Sequence, residues 1–153
     1  MPSNALNKDL IPTSPVALLL PIAYMAVIFW TSSVSDTNPG NWSDDMYAGI
    51  GQELQNLLHF PIYSVLAVLW CRAGWRWFPN IAGVVIFAWL TASGYGALDE
   101  WHQSFVPGRF SSLNDVVTNM MGAAAGVLAY GLWFRHLHNA ASAVNDSRSG
   151  LES

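Results

Sequence analysis

Residues 16 to 34 read VALLLPIAYMAVIFWTSSV, nineteen positions without a charged side chain. As a helix with a 1.5 Å rise per residue they cover about 28 Å, close to the hydrocarbon thickness of a bilayer. Three further apolar runs follow at 57–71, 81–98 and 116–134. Runs of this kind leave a small menu of folds, and the chain's balance narrows it. It is 52% hydrophobic and 10% charged, against roughly 25% charged for an average soluble domain. The expectation is an all-α membrane protein, a four-transmembrane-helix bundle. A cleaved signal peptide is the competing reading of the first run, with Lys8 before it and Ser33 and Ser35 behind it. The further spans and the weak basic lead argue against that reading.

The segments around the spans set the domain boundaries. Residues 1–15 are polar, carry three prolines and read as a disordered cytoplasmic lead. Residues 16–135 form the membrane domain, and 136–153, rich in Ser, Asn and Ala, read as a disordered cytoplasmic tail. Between the first two spans, Asn38-Pro39-Gly40 marks a turn. Ser43 before Asp44 and Asp45 then suits a helix start, and Met46, Ile50, Leu54 and Leu57 recur at helical spacing. That pattern predicts an interfacial amphipathic helix in the first outward loop, or an extension of the second span. The second span is interrupted by His59 and Pro61 and ends among Trp70, Arg72, Trp75, Arg76 and Trp77, an aromatic and basic belt. Gly122 and Gly126 in the fourth span form a GxxxG face. Packing within the chain is favoured for that face over an oligomer seam.

Several function classes drop out. No Lys/Arg run offers a nucleic-acid footprint. Cys71 is the sole cysteine, which excludes an internal disulfide and cysteine-built zinc sites. No GxSG serine and no HExxH occur, so neither a rhomboid-like serine protease nor a membrane zinc protease is indicated.

Orientation follows from the basic residues. Lys8, Arg72, Arg76, Arg135 and Arg148, five of the six, fall on the side of the termini, and Arg109 falls on the other. The positive-inside rule then predicts cytoplasmic termini. Counting helix rise from the cytoplasmic end of each span puts His59 at roughly 20 Å, Asp99 at roughly 28 Å and Asn119 at roughly 24 Å. Ser32 and Ser33 lie at the matching end of the first span, so all four helices bring polar residues to one outer level.

The densest part of that level is Asp99 to Arg109, DEWHQSFVPGR. On helices, His59 and Tyr63, Asp99 and Gln103, and Asp115 and Asn119 each stand four apart and share a face. Ionisable groups bordering a membrane span usually turn to the bundle interior and mark a site. Candidate ligand-binding residues are Ser33, His59, Tyr63, Asp99, Glu100, His102, Gln103, Arg109, Asp115 and Asn119. Arg109, aimed by Pro107-Gly108, suits a phosphate or carboxylate. Glu100 or Asp99 with His59 or His102 could serve as general acid and base. A structural clasp is the alternative: an acid against Arg109, Asp115 capping the fourth helix, His59 bonding a carboxylate. The Asp99–His102 spacing, with His59, is compatible with metal ligation, yet a hydrogen-bonded histidine is the commoner case. No metal or cofactor is expected. His136 and His138 read as solvated.

These residues resemble the VanZ-like family of small bacterial membrane proteins. The matching positions are Ser32-Ser33, His59-Phe60 with Tyr63, the run DEWHQSFVPGR, and Asp115, Asn119, Gly122 and Gly126. Family members often carry a basic residue three before the histidine, where this chain has Asn56. The resemblance implies a multi-pass protein of the bacterial plasma membrane with its polar cluster near the outer leaflet. The family's namesake is associated with low-level resistance to the glycopeptide teicoplanin. A polar site topped by Arg109 at the outer interface, beside apolar helix faces, makes binding of an amphiphilic or lipid-linked envelope ligand the expected function. An enzyme working by acid-base chemistry on such a lipid comes next, then a small transporter or a purely structural clasp.

Overall fold

The computed structural model describes residues 16–34, 52–109 and 111–149. They form four helices: α1 (Val16–Ser32), α2 (Gln52–Gly74), α3 (Ile81–Gln103) and α4 (Leu113–Ser149). Among the described residues there is no strand. Local chemistry explains the helix starts. Asn80 caps α3 by accepting a 2.8 Å bond from the Gly83 amide. Ser112 caps α4: its hydroxyl accepts from the Asp115 amide at 3.2 Å and donates to the Asp115 carboxylate at 2.8 Å, a form of capping box. The cap expected at Asp115 thus belongs to Ser112. Pro107 leads into Gly108, which turns the chain with φ 83°, a conformation that glycine adopts without steric penalty.

α2 is the centre of the bundle. It lies against all three other helices, whereas α1 rests on α2 and α3 and not on α4. Its buried residues Tyr63, Leu66, Ala67, Trp70 and Cys71 follow helical spacing. α3 answers with Val84, Ala88, Ala92, Gly96 and Asp99, and α4 with Asn119, Gly122, Ala123, Gly126 and Tyr130. The opposite faces carry large apolar side chains open to the surroundings, such as Leu90, Leu98, Leu128 and Leu132. A pattern with apolar groups on both sides suits lipid rather than water.

α2 and α4 meet backbone to backbone. A Cβ added at Gly122 would run into the Phe60 carbonyl, and one at Gly126 into the Ser64 carbonyl. Ser64 uses the close approach: its hydroxyl donates to the Gly122 carbonyl at 2.7 Å while also reaching Phe60 O at 2.8 Å. The GxxxG face is therefore occupied inside the chain. At the far end of the bundle, Trp75 Nε1 donates to the Tyr130 hydroxyl at 2.9 Å, and Trp75 stacks on Phe134.

Three helices are long and apolar enough to cross a membrane, over 57–74, 81–103 and 113–143. α1 is apolar but has 17 residues, about 25 Å, at the lower bound for a span. The amphipathic segment expected from Ser43 falls mainly on 43–51, outside the described residues, and α2 begins at Gln52. The tail differs from its disordered expectation, since α4 runs on to Ser149. Between Leu132 and Ser149 there is no Gly or Pro, and Leu137, Ala140, Ala141 and Ala143 are strong helix formers.

Gly122→Ala is expected to destabilise the bundle by about 1–3 kcal/mol, because the clash is with backbone. Gly94→Ala, where nothing lies within 4 Å, should be neutral or stabilising by up to about 1 kcal/mol. Thermal unfolding of both variants in detergent checks the contrast.

Candidate functional site

The antiparallel bundle brings together the C-terminal ends of α1 and α3 and the N-terminal ends of α2 and α4. Asp99 is the junction. It lies on the inner face of α3 at 3% exposure, with Glu100 and Gln103 beside it equally buried. The Tyr63 hydroxyl of α2 donates to Asp99 Oδ2 at 3.1 Å, and Gln103, one turn further along α3, donates its amide to the same oxygen at 3.1 Å. The Gln103 amide also lies 3.5 Å from Ser32 Oγ of α1. The sequence of contacts Tyr63–Asp99–Gln103–Ser32 thus links three helices.

His59 sits a turn before Tyr63 on α2, with the rings edge to face at 6.3 Å. Its Nδ1 stands 3.4 Å from Glu100 Oε1, an ion-pair distance without hydrogen-bond alignment. Among the described residues, neither Glu100 oxygen has a hydrogen-bond partner, and neither has Asp99 Oδ1. The carboxylates of Asp99 and Asp115 are within electrostatic reach of the same imidazole. Buried carboxylates left in this condition are costly in a low dielectric.

The α1 side is held differently. Ser33 Oγ donates to Phe29 O at 2.7 Å and lies 3.0 Å from His102 Nε2, and the His102 ring stacks on Phe29 with centroids 4.5 Å apart. The tautomer of His102 sets which atom donates in the second contact. The pair joins the ends of α1 and α3. Arg109 Nη2 donates to Thr31 O at 3.0 Å, and its Nε donates to Val34 O at 3.4 Å. Thr31 lies in the last turn of α1, where a cation complements the helix dipole, and Val34 lies just past the helix end. The tyrosine at 95 adds a tie lower down, its hydroxyl donating to Met25 O at 2.6 Å.

A cavity of about 170 Å³ opens at this junction. α1 contributes Ile28, Thr31 and Ser32 to its wall; α2 contributes Leu58, His59, Ile62 and Tyr63; α3 contributes Asp99 and Gln103; and Arg109 completes it. Of the ten residues singled out in the sequence, His59, Tyr63, Asp99, Gln103 and Arg109 line the cavity. Glu100 is buried against His59, outside the wall itself. Asp115 and Asn119 are buried on the α4 side, where the Asn119 amide reaches Gly96 O at 3.4 Å. Ser33 and His102 form the α1–α3 clasp instead. Sequence reasoning missed Ser32 as the inward serine, and it missed the apolar wall of Ile28, Leu58 and Ile62. The four-residue spacings Ile28–Ser32 and Leu58–Ile62 carried that signal. Among the described residues, no group of three or more His, Cys, Asp or Glu side chains is placed to hold a metal ion.

The family model described as VanZ/LLP1 matches residues 5–134, a stretch that contains every residue of this site. The chain belongs to the VanZ/LLP1 family. The part of α4 beyond Phe134 lies outside the matched stretch. No curated protein and no solved structure matches the chain.

Tyr63→Phe removes one interhelical bond and should lower stability by about 0.6 kcal/mol, the average of such bonds in a bilayer, and by no more than about 1.7 kcal/mol. Ser33→Ala, at an exposed contact, should change it by less than about 0.5 kcal/mol. Unfolding of each variant by titration with a denaturing detergent in mixed micelles measures both.

Proposed function

We propose that this family member binds the head of an amphiphilic or lipid-linked envelope molecule in the cavity between α1, α2 and α3. The observation that carries the reading is the cavity's mixed wall. Asp99, His59, Gln103 and Ser32 offer polar contacts, while Ile28, Leu58 and Ile62 offer apolar ones. Binding sites for small molecules commonly pair an apolar lining with a few placed polar groups. The surrounding helix faces are apolar and exposed, with Phe29 and Trp30 on α1 and Leu57 on α2 among them, so a ligand can keep its chains in lipid while its head enters the bundle. The basic residues favour a plasma-membrane protein with cytoplasmic termini and the cavity at the outer leaflet. The lipoglycopeptide teicoplanin is one amphiphile of the proposed kind, in keeping with the resistance associated with the family's namesake.

A second reading, acid-base catalysis on the same ligand, is favoured by the 3.4 Å His59–Glu100 contact. In that case Glu100→Gln keeps the ligand and abolishes turnover. A carrier is less favoured, since its coupling groups belong near the midplane and these polar groups gather at one end of the bundle.

Ile62→Trp fills the cavity without touching a polar group. Mass spectrometry of lipids co-purified in mild detergent should find a retained lipid in wild type and at least about tenfold less in the variant, a loss equivalent to about 1.4 kcal/mol. Equal retention in a variant that unfolds at the wild-type temperature would overturn the proposal.

A further inference from the structure

The cavity wall has two levels. Ile28, Ile62, Tyr63 and Asp99 stand four residues from Ser32, Leu58, His59 and Gln103 respectively, one helical turn or roughly 6 Å. The first four form an inner level toward the middle of the membrane. The second four form an outer level, joined by Thr31 and Arg109. The Asp99 carboxylate therefore belongs to the inner level, where its Oδ2 accepts from Tyr63 and Gln103. Glu100 and Asp115 lie outside the wall. Glu100 faces His59 Nδ1 at 3.4 Å, and Asp115 accepts from the Ser112 hydroxyl at 2.8 Å. The outer level of the wall thus holds no carboxylate.

Two of its side chains carry N–H groups that suit an anion. Arg109 lies across the end of α1, with Nη2 on Thr31 O and Nε on Val34 O. A guanidinium has five N–H donors, so it can serve carbonyls and a ligand together. His59 comes from α2. Its Nδ1 is closed to water and turned to Glu100, away from the wall, while the side chain keeps 18% exposure. The ring edge that lines the cavity is therefore the other one, which carries Nε2. An imidazolium has an N–H on each nitrogen, one for Glu100 and one for a ligand.

Donors from two different elements narrow the anion. A carboxylate has two oxygens in one plane, which a single guanidinium fork satisfies. The end of a phosphate ester presents three terminal oxygens, so it can meet Arg109 and His59 at once. A volume of about 170 Å³ is near that of a cavity of about 150 Å³ that accommodates benzene, and a phosphate is smaller than benzene. Leu57 and Leu58, beside His59, are 64% and 44% exposed and offer a track for an acyl chain.

Resting on the amphiphile-binding reading, we infer that the outer level of the cavity takes the terminal phosphate of a membrane lipid, held between the Arg109 guanidinium and His59 Nε2.

The test titrates the purified full chain in dodecyl maltoside with four probes: lauroyl lysophosphatidic acid, monolaurin, laurate and inorganic phosphate. Binding is read by native mass spectrometry. Lysophosphatidic acid should bind at least about tenfold tighter than monolaurin, which has the same tail and no phosphate, a factor within reach of one charge-assisted hydrogen bond. Arg109→Gln and His59→Leu should each reduce that preference to less than about threefold while leaving monolaurin binding near its wild-type level. Equal binding of lysophosphatidic acid and monolaurin by wild type would overturn the phosphate assignment and leave amphiphile binding standing, and so would laurate binding as tightly as the phosphate lipid. A preference unchanged in either variant, when folded, would place the anion elsewhere, such as the basic belt of Arg72 and Arg76, and overturn the assignment as well. Binding of none of the probes would overturn both readings. Inorganic phosphate binding as tightly as the lipid would support the anion site and overturn the membrane as its source. The wild-type comparison decides the question even if the variants fail to fold.

Discussion

A carboxylate at the end of an apolar helix must find its donors inside the protein, because lipid supplies none. Asp99 meets that constraint with a tyrosine hydroxyl from α2 and a glutamine amide from its own helix. The rest of the junction follows from the pairing. Placing Tyr63 on Asp99 sets the rotation of α2 relative to α3, which carries His59 to Glu100 at 3.4 Å. The Gln103 amide faces α1, and the turn beyond it directs Arg109 onto the last carbonyls of that helix.

Close backbone contact makes the pairing possible. Gly96 on α3 leaves room beside Tyr63 and Asn119, where a Cβ would come within 2.8 Å of the Asn119 Cβ. Gly122 and Gly126 let α4 approach Phe60 and Ser64 of α2 directly. The glycines thus bring polar side chains on three helices within hydrogen-bond reach. α1 packs through Ala17, Pro21 and Ile28 and is tied through its backbone at Met25 and Thr31, and it forms one wall of the cavity.

Much of this was legible in the sequence, because helical periodicity converts spacing into shared faces. His59 with Tyr63 and Asp99 with Gln103 could be paired on that ground alone, and counting helix rise placed them at one level. The bonds from Arg109 to the Thr31 and Val34 carbonyls were not legible, because backbone acceptors leave no trace in residue identity. Ser32 and Ser33 are adjacent, so their directions differ by about 100°, and only the rotation of α1 decides which one turns inward. The polar tail looked disordered by composition, yet a stretch free of Gly and Pro can continue a helix after its apolar stripe has ended. The Ser112 cap, in contrast, had a readable pattern in its Ser-x-x-Asp spacing.

The central claim is that Asp99 is the shared acceptor that orients the helix ends. A double-mutant cycle between Tyr63→Phe and Asp99→Asn, read as unfolding free energy in mixed micelles, tests it most directly. The account predicts a coupling of at least about 0.5 kcal/mol, as residues in direct contact show. Additivity within about 0.3 kcal/mol would contradict it, since the two side chains would then not be acting on each other.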